Sequence, residues 1–164
     1  TLRAEFPKLK TFATLSPIPG FRAWLNKNAT RMLEETPEKL RAQFGRAEGF
    51  EPAGAEHVLS ALEPMPTLAE KSPLRLWLQA CAAHYLGKEL VEARPADPVA
   101  RFHLGNGARV EQINWAADPS GKGIKQSFGL MVNYLYDLRK IDRHRLGLSK
   151  GQVPVSDEVT RLYF

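Results

Sequence analysis

The stretch from Phe102 to Asp137, FHLGNGARVEQINWAADPSGKGIKQSFGLMVNYLYD, constrains the fold most, because turn signals alternate in it with changes of apolar period. Gly105-Asn106-Gly107 tolerates positive φ at little cost, which predicts a hairpin turn with extended flanks. His103 then falls near the end of one strand, and Ala108 to Trp115 forms the return strand. Val110 lies out of step with Ile113 and Trp115, so a bulge or a strand covered on both faces is expected. Asp118-Pro119-Ser120-Gly121-Lys122-Gly123 is a loop by composition, with backbone N–H groups suited to an anion. From Ile124 the period changes. Ile124, Phe128, Met131, Leu135 and Leu138 recur at helical spacing and predict an amphipathic helix, with Gly129, Asn133 and Tyr136 on the neighbouring face.

Upstream, Leu9, Thr11, Ala13 and Leu15 alternate with Lys10, Phe12, Thr14 and Ser16, which predicts a strand over 9–16. Pro17-Ile18-Pro19-Gly20 stops it, because each proline removes a ladder donor and biases its predecessor to extended geometry. Ser16 therefore sits at a strand end on stiff backbone. A helical region follows over 21–94, opening at Phe21 to Asn26. Thr36-Pro37-Glu38 reads as a second helix start, with Thr36 as N-cap, and Gly45 and Gly49 mark that helix's end. A short helix over Gly54 to Leu62 is ended by Pro64 and Pro66. Ser72-Pro73 starts the clearest helix, with Leu74, Trp77, Leu78, Cys81, Tyr85 and Leu86 on one face and Gly87 as its stop. Cys81 reads as core filling. Arg94 to Pro98 is a linker back to extended structure, and the hairpin and helix occupy 100–138. The tail, 139–164, is basic to Ser149 and adds a helical turn after Ser156.

At 164 residues the chain suits one domain with a sizeable core. A net charge of +5 raises nucleic acid as a partner. The basic residues are scattered, however, apart from Arg139-Lys140 and Arg143-His144-Arg145, and a phosphate-bearing small molecule would use the same charge. The single cysteine leaves no internal disulfide and no metal-ligand cluster, and His57 and His84 lack metal spacing. No apolar run reaches membrane-spanning length and no signal-peptide pattern opens the chain, so the cytoplasm or an organelle interior is the expectation. Leu2 to Leu9 reads as the tail of something already under way, as in a fragment of a longer protein. Strand, helical region, hairpin and helix together make an α/β layered domain with part of its sheet outside the chain.

Two blocks resemble the malonyl-CoA decarboxylase family. Thr14-Leu15-Ser16-Pro17-Ile18-Pro19-Gly20-Phe21 with Trp24-Leu25 is similar to that family's serine segment. His103-Leu104, Asn106-Gly107-Ala108, Ile113-Asn114-Trp115, Ala117-Asp118, Ser120, Gly123, Ser127, Gly129, Met131, Asn133-Tyr134 and Tyr136 are similar to its histidine block. The resemblance implies a GNAT-like acyltransferase fold, of which this chain holds the C-terminal part of the mixed sheet with an inserted helical region. It implies conversion of malonyl-CoA to acetyl-CoA and CO2, with Ser16 and His103 as the catalytic pair and Tyr136 at the substrate. The family's N-terminal helical domain and CoA pyrophosphate loop are expected outside this chain. Activity is expected to require them, in a homo-oligomer, in the cytoplasm or, in a eukaryote, an organelle matrix.

Losing CO2 from a malonyl thioester leaves an enolate whose charge develops on the thioester oxygen and which is then protonated at carbon. No cofactor is expected, because the thioester is itself the electron sink. The reaction needs a donor aimed at that oxygen and a proton source, for which histidine is suited. Either His103 stabilises or protonates the enolate while Ser16 holds the carboxylate or His103, or the roles are reversed. A CoA-dependent acyltransferase of the same fold would form product only with an acceptor. A Ser/His thioester hydrolase would release free CoA, but Ser16 lies between Leu15 and Pro17 and not in a Gly-x-Ser-x-Gly elbow. A noncatalytic basic binding module would lose affinity steeply with salt.

Overall fold

The computed structural model describes residues 10–48, 55–61 and 70–164. In chain order the elements are β1 (Thr11–Pro17), α1 (Phe21–Glu35), α2 (Glu38–Glu48), α3 (Ala55–Ala61), α4 (Pro73–Gly87), β2 (Leu90–Val91), β3 (Arg94–Pro95), α5 (Pro98–Gly105), β4 (Arg109–Asn114), α6 (Gly121–Ser127), β5 (Met131–Asp137), α7 (Ile141–Ser149) and α8 (Asp157–Thr160). The expected breaks at Gly49, Pro64 and Pro66, the opening residues through Leu9, and the side chain of His57 lie outside the described residues.

The main sheet has the order β1-β5-β4 with both pairings antiparallel, and β2 and β3 form a separate small ribbon. This is a mixed α/β fold with a small antiparallel sheet and inserted helices. Along β1, Phe12, Thr14 and Ser16 turn inward while Thr11, Ala13, Leu15 and Pro17 are exposed, as a half-buried strand requires. The expected bulge is present in β4, where the register shifts between Val110 and Gln112. The C-terminal segment closes the free edge of β4. Val110 N–H donates to the Pro154 carbonyl at 3.0 Å, Ser156 N–H to the Val110 carbonyl at 2.9 Å, and the Ser156 hydroxyl to the Glu111 carbonyl at 2.6 Å. Edge backbone groups that would otherwise be unpaired are thereby satisfied.

Helix α4 runs through the core. Leu74, Trp77, Leu78, Cys81, Ala82 and Leu86 are fully buried, so the face predicted from spacing is the packed one. Each large side chain removed from water there contributes roughly 1.5–3 kcal/mol. Burial also pushes the Cys81 thiol up, which keeps it protonated and inert, as core filling requires. Thr36 does not cap α2 with its hydroxyl. That hydroxyl donates back to the Met32 carbonyl at 2.6 Å and accepts from Trp77 Nε1 at 2.9 Å. A buried indole N–H needs an acceptor, and this need outweighs the local capping preference.

The structure corrects the reading of 100–138 in two places. No hairpin turns at Gly105-Asn106-Gly107. Residues 98–105 form α5, started by Asp97 as N-cap, with Pro98 in its first turn, and the Gly-Asn-Gly sequence ends it. His103 lies on that helix. Gly107, at φ +93°, turns the chain into β4, and Gly107 and Ala108 N–H groups close the helix on the Leu104 and His103 carbonyls. Nor does a helix run from Ile124 to Leu138. The helix α6 stops at Ser127; Phe128 (φ 55°) and Gly129 (φ 85°) take left-handed backbone, and Met131–Asp137 is the central strand. Its apolar residues face both ways, so alternation is hidden and the spacing imitates a helix. The basic segment after Leu138 is likewise more helical than expected, forming α7.

A Cβ at Gly107 would lie 2.7 Å from Ile141 Cγ2 and 2.9 Å from the Ile141 carbonyl oxygen. Gly107→Ala therefore combines a left-handed φ with a backbone collision. It is expected to cost about 2–3 kcal/mol, read as a lower unfolding midpoint in denaturant.

Candidate active site

Three residues singled out in the sequence meet at the inner face of the sheet. Ser16 is the penultimate residue of β1, where Pro17 and Pro19 stiffen the exit, and it is 5% exposed. His103 comes from the second turn of α5, and Tyr136 from β5. Ser16 Oγ lies 3.2 Å from His103 Nε2, although the residues are 87 positions apart. On the other side of the ring, His103 Nδ1 lies 2.6 Å from Tyr136 Oη. The imidazole is thus held at both nitrogens, which fixes its plane.

Further residues complete the surroundings. Thr14 Oγ1 is 3.0 Å from Ser16 Oγ, because two positions along a strand return to the same face. The Tyr134 ring stacks on the His103 ring at 4.6 Å between centroids, with 21° between planes. Phe102 meets the imidazole edge-on at 5.0 Å, and Phe12 stacks on Tyr136 at 4.8 Å. Register explains the set: Thr14 pairs with Tyr134 and Phe12 with Tyr136 across β1 and β5. Thr14 and the direct Tyr134 contact were not read from the sequence. The signal that could have found them is alternation: once 131–137 is a strand, Tyr134 and Tyr136 must share a face.

Burial lowers the pKa of His103 from the ordinary imidazole value, so the resting ring is neutral near pH 7. Burial also raises Tyr136 against a hydrogen bond from Asn106, so that the phenol keeps its proton. A protonated phenol can donate to Nδ1 or accept from it; where it donates, the ring proton sits on Nε2, facing Ser16. The site is closed beneath by Tyr134 but open outward, where Phe102 is 63% exposed. Among the described residues no group of three His, Cys, Asp or Glu is placed to hold a metal ion.

Two N–H groups of the loop before α6 are taken up within the loop itself. Asp118 accepts from Ser120 N–H at 3.1 Å, and Ser120 Oγ from Gly123 N–H at 3.1 Å, so the loop caps its own helix. His84 is likewise structurally engaged, 3.2 Å from Glu89 and stacked on Trp24. His144 Nδ1 bonds the Gly107 carbonyl at 3.0 Å. Among the described residues no helix is long and apolar enough to cross a membrane.

A family model described as the malonyl-CoA decarboxylase C-terminal domain matches residues 1–163. The mitochondrial malonyl-CoA decarboxylases of Rattus norvegicus and Mus musculus are 33% and 36% identical to the chain over 98% of its length and 34% of theirs. The chain thus spans about a third of the length of these curated relatives. The crystal structure of malonyl-CoA decarboxylase from Cupriavidus metallidurans matches with a TM-score of 0.85 at 45% identity, over 98% of this chain and 40% of that one. The enzyme from Rhodopseudomonas palustris matches with a TM-score of 0.74 at 36% identity, over 99% and 35%.

Because burial favours the neutral ring, His103 is expected to titrate below the ordinary value of 6.5. Nitrogen-detected NMR of the imidazole signals against pH checks this, with a midpoint at or above 6.5 counting against a desolvated ring.

Proposed function

The chain belongs to the malonyl-CoA decarboxylase family, as its C-terminal domain, and on that premise we propose that it carries the acid–base centre for decarboxylation of malonyl-CoA to acetyl-CoA and CO2. The observation that carries the reading is the linear arrangement Ser16, His103, Tyr136, with contacts of 3.2 and 2.6 Å, at a buried strand end that opens outward. The fold is read as the C-terminal part of a GNAT-like sheet with 21–94 as an insertion. The CoA pyrophosphate loop and N-terminal helical domain are assigned to sequence outside this chain.

The chemistry follows from the charges. When the C2–CO2 bond breaks, its electron pair moves into the thioester and the carboxyl carbon leaves as CO2. The enolate oxygen then needs a donor, worth on the order of 3 kcal/mol in a dry site. Ser16, held between Thr14 and His103, can orient a hydroxyl toward the thioester oxygen or the substrate carboxylate. The enolate carbon next takes a proton, for which His103 Nε2–H, the ring N–H on the Ser16 side, is the donor. As that proton leaves, Tyr136 Oη gives one to Nδ1; solvent then reprotonates Nε2 and Nδ1 returns its proton to Tyr136, so ring and phenol are restored and the cycle consumes one proton overall. A neutral resting imidazole has a further use. An imidazolium beside the malonyl carboxylate would hold the charge that must leave it, and so would oppose loss of CO2.

The rival reactions remain separable by product. An acyltransferase would form product only when an acceptor is supplied. A hydrolase would need water activated by the same histidine, and free CoA would be its product. Mitochondria are named for the mammalian relatives, and an organelle matrix is the corresponding compartment proposed here if the source is eukaryotic.

The test is incubation of the protein, purified together with the N-terminal helical domain and CoA pyrophosphate loop assigned outside this chain, with malonyl-CoA and no acceptor, followed by mass spectrometry. Acetyl-CoA is expected, with kcat reduced at least about 100-fold by His103→Ala and about 10–100-fold by Tyr136→Phe. Absence of acetyl-CoA from a preparation that binds malonyl-CoA would refute the decarboxylase. Lowering the pH should decrease kcat/KM as His103 protonates, and because its pKa is depressed that limb is expected below pH 6.5. A profile rising toward acid would show instead that the imidazolium is the working form.

A further inference from the structure

We propose that Asp97 is a positioning residue for the Ser16–His103 pair, joining the backbone that follows Ser16 to the helix that carries His103. The inference rests on the reading of that pair as the reacting centre. Asp97 is fully buried, and its two carboxylate oxygens serve different elements. Oδ1 accepts from Gly20 N–H at 3.0 Å and from the Tyr85 hydroxyl at 3.1 Å. Oδ2 accepts from Val99 N–H at 3.1 Å and Ala100 N–H at 3.2 Å, which are orphan donors of the first turn of α5. An N-cap needs only the second set. Serine, asparagine or threonine would serve as well for capping alone, so a fully buried carboxylate at this position calls for another explanation.

The first set supplies it. Between Ser16 and Gly20 the chain reads Pro17-Ile18-Pro19, in which two rings fix φ and Ile18 is fully buried. A displacement at Gly20 is therefore passed to Ser16. On the other side, α5 has eight residues and His103 is in its second turn, so a shift at its N-terminus moves the imidazole. Gly20 is what lets the backbone come close. A Cβ there would collide with the Tyr85 hydroxyl and stand 3.3 Å from Asp97 Oδ1. The Ser16–His103 contact, at 3.2 Å, is already at the long edge of a hydrogen bond. A few tenths of an ångström would open it. Tyr85 comes from α4, so the clasp also refers both catalytic elements to the core helix.

Asp97→Ser separates the two tasks, since serine keeps a cap on α5 but is too short to hold Gly20 and Tyr85. In cooperatively folded protein it is expected to lower kcat about 10–100-fold with KM for malonyl-CoA within about twofold. The imidazole nitrogen signals of His103 should pass from a single tautomer to an averaged pattern, while those of His84 and His144 stay in place. Gly20→Ala attacks the same clasp from the opposite side and should give the same His103 pattern, which keeps the test decisive if Asp97→Ser does not fold. Parental His103 signals and parental kcat in either folded variant overturn the proposal. The NMR readout does not depend on turnover. If a parent that binds malonyl-CoA forms no acetyl-CoA but its His103 signals respond to Asp97→Ser, the clasp stands and the decarboxylase reading falls; if the parent is active and the variants keep its signals, the clasp alone falls.

Discussion

Pairing of β1 with β5 sets Thr14 opposite Tyr134 and Ser16 opposite Val132, and a slip of one residue would turn Ser16 from the buried face to the solvent face. The alternation of β1 guards against that slip, since Phe12, Thr14 and Ser16 pack inward and the intervening residues are exposed. Central position matters too. β5 is bonded on both sides, to β1 and β4, so its tyrosines are presented from the best-supported strand of the sheet.

On that floor the helix α5 places one imidazole among three different chemistries. A hydroxyl faces one nitrogen, a phenol the other, and an aromatic ring lies against its face. Burial keeps both the ring neutral and the phenol protonated, so proton positions follow from desolvation more than from any charged neighbour. This differs from a serine hydrolase, where a carboxylate orients the histidine. A phenol at that place leaves no fixed negative charge beside the imidazole.

Buried polar groups elsewhere are tied with similar economy. Trp77, Thr36 and the Met32 carbonyl form one satisfied chain under α4. Asp97 binds four donors from three parts of the fold, against burial that pushes its carboxyl up from the usual range. Such groups cost less than their burial suggests because every partner is supplied by backbone or by another buried side chain.

Local rules, acting on a few neighbouring residues, were enough to locate β1 and its stop at Pro17, the start of α4 at Ser72-Pro73 and the inward face of that helix, and they left a bulge in β4 as one of two readings. They also placed Ser16 at a strand end, and the two blocks of residues around Ser16 and His103 carried the family resemblance, which in turn singled out His103 and Tyr136. They did not determine the element on which His103 stands. Asp97-Pro98 is a helix start and Gly-Asn-Gly a helix stop, but the same glycines suit a hairpin, and only packing of Ala100 and Leu104 into the core decides between them. Nor could they separate strand from helix over 131–137, where both faces carry apolar residues and hydrogen bonds to β1 and β4 settle the matter. Thr36 shows the same limit, its capping role yielding to a tryptophan 41 positions away. The distances at the site, and the clasp behind it, join residues remote in the chain. Their meeting is a property of register and packing, and no local pattern encodes it.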